Sequence, residues 1–199
     1  MVVVFRRAGE RRYAVEVRRP VFPDFEMNPA PGYDNLIPHD LMHMVVEAQL
    51  GLSRAVFGQL AAGGDAGTFH PIFRDNEKPR EMSRVRNRVK ERSQRLMREG
   101  RDDCAQSERA TYICWQYWLA RSRSNVLKAA SQSMAQQAKD VRNLATTREL
   151  GVLSQSKLAE ICNHLDVLSS HWSQLEVGQS MAVRWPDLAV TTAGQAESV

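Results

Sequence analysis

"VVVFRRAGERRYAVEVR", residues 2–18, decides whether this chain is all-helical or mixed. Two runs rich in β-branched residues, VVVFR and YAVEVR, flank RAGERR, and the second run alternates. Gly9 supplies the turn, so the segment predicts a β-hairpin over 1–19. An isolated hairpin is marginal in water and needs a further strand. SMAVRW at 180–185, closed by Pro186, is the candidate. The two ends of the chain would then build one sheet.

Between those ends the periodicity is helical. Residues 154–172 carry Leu158, Ile161, Leu165, Leu168 and Trp172 at spacing 3-4-3-4, behind Ser154 or Ser156 as cap. Residues 79–99 begin at Pro79, end at Gly100 and carry a thin seam of Met82, Val85, Val89 and Leu96, interrupted by Arg92. Residues 105–120 and 124–145 predict two more helices. Residues 20–38 hold five prolines and Gly32, which excludes helix or central strand and predicts an extended connector. The expectation is an α+β fold: a bundle of four to six helices with a small antiparallel sheet from the N-terminal hairpin and the C-terminal strand. It forms one domain over 1–190, with 187–199 a disordered tail.

With 199 residues, 43% hydrophobic and 25% charged, the chain can bury a real core. No apolar run approaches the ~20 residues that span a bilayer, and the first residues lack the pattern of a signal peptide. The expected location is cytoplasmic. Cys104, Cys114 and Cys162 form no CxxC pair, which argues against a disulfide framework or a zinc knuckle. The net charge of +4 is segregated: residues 74–101 carry +6, residues 1–20 carry +4, and the remainder −6. Residues 21–73 contain six acids against the single base Arg54, so they suit a bound cation.

Within that acidic part lies IPHDLMHMVVEAQLG, residues 37–51. Pro38 starts a helix and Gly51 stops it. At about 100° per residue, His39, His43, Glu47 and Asp40 occupy one arc of roughly a quarter turn. Two readings compete. The arc is the wet strip of a buried helix, or it is a metal site. Two imidazoles one turn apart can share a divalent ion, zinc or iron, with Glu47 as the favoured third ligand. Asp40 would then serve as the catalytic base or orient an imidazole. His70, in the glycine-rich loop of the 38–75 region, and Asp65 are alternative ligands. His164 and His171 read as structural.

His39, Asp40 and His43 also resemble the HDxxH motif of a ubiquinone-biosynthesis family, a helical zinc-binding scaffold for quinone-ring modification. The resemblance implies zinc at the histidine pair. That family's motif continues to a glutamate twelve residues after its second histidine, where this chain has Ala55.

The second signal is KPREMSRVRNRVKERSQRLMREGR, residues 78–101. Arg80, Arg84, Arg88, Arg92 and Arg95 form a stripe that suits phosphates. The competing reading is a solvated face paired internally by Glu81, Glu91 and Glu99. Tyr112, Trp115, Tyr117 and Trp118 could stack on bases, but helix packing is the better expectation.

Three functions therefore stand as expectations. The first is a divalent-metal protein acting on a small molecule by metal-assisted hydrolysis or hydration. The second is a non-enzymatic protein that binds a partner protein or forms homo-oligomers. The third is a nucleic-acid binder using Arg84, Arg88 and Arg92 of the long 78–172 helical region.

Overall fold

The computed structural model describes residues 1–32, 34–73 and 76–191. Strand β1 (Val2–Gly9) and strand β2 (Arg12–Arg18) form the expected hairpin, with Val3 opposite Val17 and Phe5 opposite Val15. Four further antiparallel strands follow: β3 (Phe25–Ala30), β4 (His70–Pro71), β5 (Ser180–Arg184) and β6 (Val190–Thr191). The sheet order is β4-β3-β2-β1-β5-β6. The late strand does join the hairpin, as Val183 pairs with Val3. The fold is α+β.

Three segments differ from expectation. The proline-rich connector contains a strand, β3. Pro29 is tolerated because the ladder to β2 is irregular between Tyr13 and Val15, where Ala30 and Met27 pair, and β4 covers only Phe25 and Glu26. The tail expected to be disordered from 187 begins ordered: Leu188 is buried and Val190 pairs with Val183. Residues 192–199 lie outside the described residues. Finally, the described residues hold eight helices rather than four to six.

Helix α1 (His39–Leu50) ends at Gly51 in the left-handed conformation, and α2 (Val56–Ala61) follows it. Helices α3 (Pro79–Glu99) and α4 (Arg101–Arg121) meet at Gly100. The segment 124–145 divides at Met134 into α5 (Asn125–Ser133) and α6 (Ala135–Leu144). Serines near the break bond backbone carbonyls: Ser131 that of Gln116 on α4, and Ser133 that of Ala130, which also accepts the Met134 N–H. Helix α7 (Thr147–Val152) opens with a Thr146–Glu149 capping box, and α8 (Gln155–Ser173) is capped by Ser154.

The odd-numbered residues of β1 and β2 turn inward. Val3, Phe5, Tyr13, Val15 and Val17 are fully buried in one core with α1 and α8. Trp172 of α8 meets Tyr13 edge to face at 6.3 Å between centroids. Helix α1 is therefore an internal helix, with the sheet on one side and α4 on another, and every residue from Leu41 to Glu47 is buried.

Candidate functional site

The polar arc of α1 is divided: His39 and Asp40 are partly exposed, whereas His43 is 5% exposed and Glu47 is fully buried. His43 and Glu47 face α4, which answers them with small polar residues. Ser107 Oγ lies 3.0 Å from His43 Nδ1 and 2.9 Å from Glu47 Oε1, and Thr111 Oγ1 lies 3.3 Å from the same imidazole nitrogen. The Phe57 N–H donates to Glu47 Oε2 at 2.9 Å, tying the first turn of α2 to α1.

Burial sets the protonation of this seam. It pushes the Glu47 carboxyl up to about 8 and the His43 imidazole down to about 3, the latter helped by the neighbouring His39. Both groups are then neutral at pH 7. A protonated Glu47 donates to Ser107, Ser107 donates to His43 Nδ1, and His43 Nε2–H is left facing Glu108 Oε2 at 3.8 Å. Each link from Glu47 to His43 Nδ1 then has a donor and an acceptor, while the His43 Nε2–H lies beyond hydrogen-bond distance of Glu108.

Glu47, the favoured third ligand, is thus occupied at both oxygens and stands behind Ser107. His39 sits beside His43, with 4.6 Å between ring centroids. Asp40 accepts a hydrogen bond from the Tyr13 hydroxyl, which also lies 2.6 Å from the Pro31 carbonyl, so Asp40 braces α1 against β2. Burial raises its pKa. His70 is an exposed residue of β4, paired with Glu26. Ala55, at the position of the missing glutamate, is fully buried. Among the described residues, no three of His, Cys, Asp or Glu form a group that could hold a metal ion as they stand. Sequence reasoning missed Ser107, Glu108 and Thr111. A signal existed: Cys104, Ser107 and Thr111 recur at spacing 3-4, a small polar stripe on α4.

The second candidate surface is α3. Only Val89 and Ser93 are buried in its 21 residues. The seam docks on the glycine-rich loop, where Ser93 Oγ accepts the Asp65 N–H at 2.9 Å. Gly63 has a positive φ of 86°, and a Cβ there would fall 2.8 Å from Arg92 Nη1 and from the Phe22 ring. Glycine lets the helix come this close.

Opposite the seam, Arg80, Arg84, Arg88, Arg95 and Arg98 are exposed. The expected internal pairing is nearly absent. Among the described residues the one ion pair within α3 is Arg95–Glu99, at 3.9 Å and solvent-exposed. Arg92 leaves the stripe and lies 4.7 Å over the Phe22 ring, and Arg86 lies 5.0 Å over Phe73.

Beside α3 runs a groove of about 660 Å³, lined among others by Arg19, Phe22, Asp24, Phe73, Glu81 and Val85. Arg19 builds its wall. Its guanidinium sits 4.0 Å over Phe25 and donates to the Leu60 carbonyl at 2.7 Å. Burial lowers its pKa to about 10, so it remains charged at pH 7.

Of the α4 aromatics, Trp118 is buried and its indole donates to Asp166 at 2.6 Å, Trp115 and Tyr117 pack against the core, and Tyr112 donates to Gln137 at 2.8 Å. No family model matches the chain, and the comparisons with curated proteins and solved structures found no match. No helix among the described residues is long and apolar enough to cross a membrane.

Proposed function

We propose that this protein is a non-enzymatic nucleic-acid binder that holds a phosphate backbone along α3. The carrying observation is the outward ridge of Arg80, Arg84, Arg88, Arg95 and Arg98, exposed and almost free of carboxylate partners. Guanidinium forks match phosphate oxygens. Arg80, Arg84 and Arg88 recur every four residues, a rise of about 6 Å along the axis. A helix that buries so little contributes little to the core, so the surface it presents is its main role. The ridge lacks the broad apolar face of a helix that lies in a lipid interface. A cytoplasmic location fits this reading.

The test is fluorescence anisotropy with a labelled oligonucleotide across a salt series. Three to four phosphate contacts give a slope of log affinity against log salt of about −2 to −3 on a single strand. Arg84→Gln/Arg88→Gln reduces that slope by about 1.4. Absence of salt-sensitive binding at low ionic strength would overturn the reading.

A second reading rests on one observation: His43 Nε2 faces Glu108 Oε2 at 3.8 Å with the His39 ring alongside, and burial favours the neutral imidazole. A zinc or iron ion would take His43 through Nε2, with His39 and Glu108 turning to meet it. His43 Nδ1–H would then donate to Ser107 and Ser107 to an ionised Glu47, an outer shell that strengthens the ligand. Metal-assisted hydrolysis or hydration would be the corresponding chemistry. Metal analysis of untagged protein beside His39→Ala/His43→Ala tests it. No metal bound, and none taken up on titration with zinc or iron, would remove it.

A further inference from the structure

The groove beside α3 has features that backbone binding does not use. Its lining includes two aromatic rings, Phe22 and Phe73, and three carboxylates, Asp24, Glu77 and Glu81. Each ring carries a guanidinium: Arg92 at 4.7 Å and Arg19 at 5.7 Å over Phe22, and Arg86 at 5.0 Å over Phe73. Both rings remain partly exposed. On the helical wheel Glu81 and Val85 mark the groove side of α3, at about 100° and 140° from Arg80. Arg84 and Arg88, at about 40° and 80°, are ridge residues turned toward that side. A strand whose phosphates follow the ridge therefore passes the mouth of the groove.

We infer that this groove takes one unpaired base of a single-stranded nucleic acid, and prefers bases that bear an amino donor. The inference rests on the reading of α3 as a phosphate-binding surface. Stacking needs an unpaired base, because in a duplex both faces are covered by neighbours. Aromatic rings and guanidinium planes both stack on bases, and together they tolerate any of them. Selectivity comes from the carboxylates. They accept hydrogen bonds and, ionised, donate none. Cytosine and adenine present exocyclic amines, and guanine presents an amine and a ring N–H, whereas thymine and uracil present only the ring N–H between two carbonyl oxygens. Those oxygens would face the carboxylates unfavourably. The volume of about 660 Å³ is ample for a base.

The experiment compares four labelled ligands by anisotropy on the full chain: oligo-dC, oligo-dT, a duplex of mixed sequence, and inorganic polyphosphate of similar charge. The same ligands are run on Phe73→Leu and on Arg84→Gln/Arg88→Gln. RNA oligo-C and oligo-U repeat the comparison for the other sugar. The expected result is tighter binding to oligo-dC than to oligo-dT or duplex. Phe73→Leu weakens oligo-dC about tenfold and leaves polyphosphate unchanged. The double arginine variant weakens all ligands. If oligonucleotides and polyphosphate bind alike and Phe73→Leu changes neither, the base site is overturned while the backbone reading stands. If nothing binds, the backbone reading fails, and the base site with it. Ultraviolet crosslinking of a 5-bromodeoxycytidine oligomer is an independent arm. An adduct mapped to residues 19–24 or 72–85 supports the site, and adducts confined elsewhere overturn it.

Discussion

Ser107 Oγ stands 2.9 Å from Glu47 Oε1, and both side chains are sealed between α1 and α4. A hydroxyl that accepts from a protonated carboxyl can pass its own proton on to His43 Nδ1. The seam therefore has two arrangements that differ only in where protons sit. In the neutral one Glu47 carries a proton; in the other it is ionised and accepts from Ser107 and from the Phe57 N–H.

This pair makes stability fall with alkali. Glu47 has an ordinary carboxyl pKa in the unfolded chain and about 8 when folded. Between those values the folded state binds more protons, so the stability fully present at low pH is lost as pH rises toward 8. Glu47→Gln reproduces the neutral state, its amide donating to Ser107 and its carbonyl accepting from Phe57. Urea melts from pH 5 to 9 should show the wild type weakening by a few kcal/mol relative to Glu47→Gln. Parallel curves would mean that Glu47 is ionised in the folded protein.

His43 works in the opposite direction. Its folded pKa of about 3 lies below the value of an ordinary histidine. The stability it supports is present above the unfolded pKa and is lost as pH falls below about 6.5. Nitrogen-detected NMR should show a neutral imidazole, protonated at Nε2, with no titration between pH 5 and 8. A midpoint near 6.5 would refute the buried assignment.

Gly100 is a steric requirement of the α3–α4 joint. A Cβ there would fall 2.0 Å from the Arg54 carbonyl oxygen and 2.8 Å from Gln59 Nε2. Gly100→Ala should cost about 1–3 kcal/mol, read as a fall of several degrees in Tm. A variant as stable as the wild type would mean that α2 shifts freely away from the joint.

The α3 ridge should be energetically idle in the free protein. Arg84→Gln/Arg88→Gln touches no ion pair among the described residues. Its stability should lie within about 0.5 kcal/mol of the wild type. Thermal melts check this, and they make the same variant usable in the binding series. A marked loss of stability would instead assign those arginines a structural role.

Much of the architecture could be read from pattern. The hairpin follows from its β-branched runs and Gly9, and α8 from an apolar spacing that leaves no other face to bury. The departures and the choices left open share a cause, since sequence shows what a residue is and not what stands opposite it. His39, Asp40, His43 and Glu47 look like a wet strip or a ligand set because their partners, Ser107 on α4 and Tyr13 on β2, lie 60 and 27 residues away from Glu47 and Asp40. Prolines hid β3, because Pro29 is costly in a ladder unless the neighbouring strand is irregular at that point, as β2 is. The ion pairs expected along α3 follow from spacing alone, but exposed side chains gain too little from pairing to hold it.

Strand β1 lies between β2 and β5, and the Trp185 N–H donates to the Met1 carbonyl at 2.9 Å. During synthesis the hairpin emerges before β5, and one flank of β1 stays bare until residues 180–184 follow. That exposed strand edge invites pairing with another nascent chain. Closing it joins residues about 180 positions apart, a slow step for any chain.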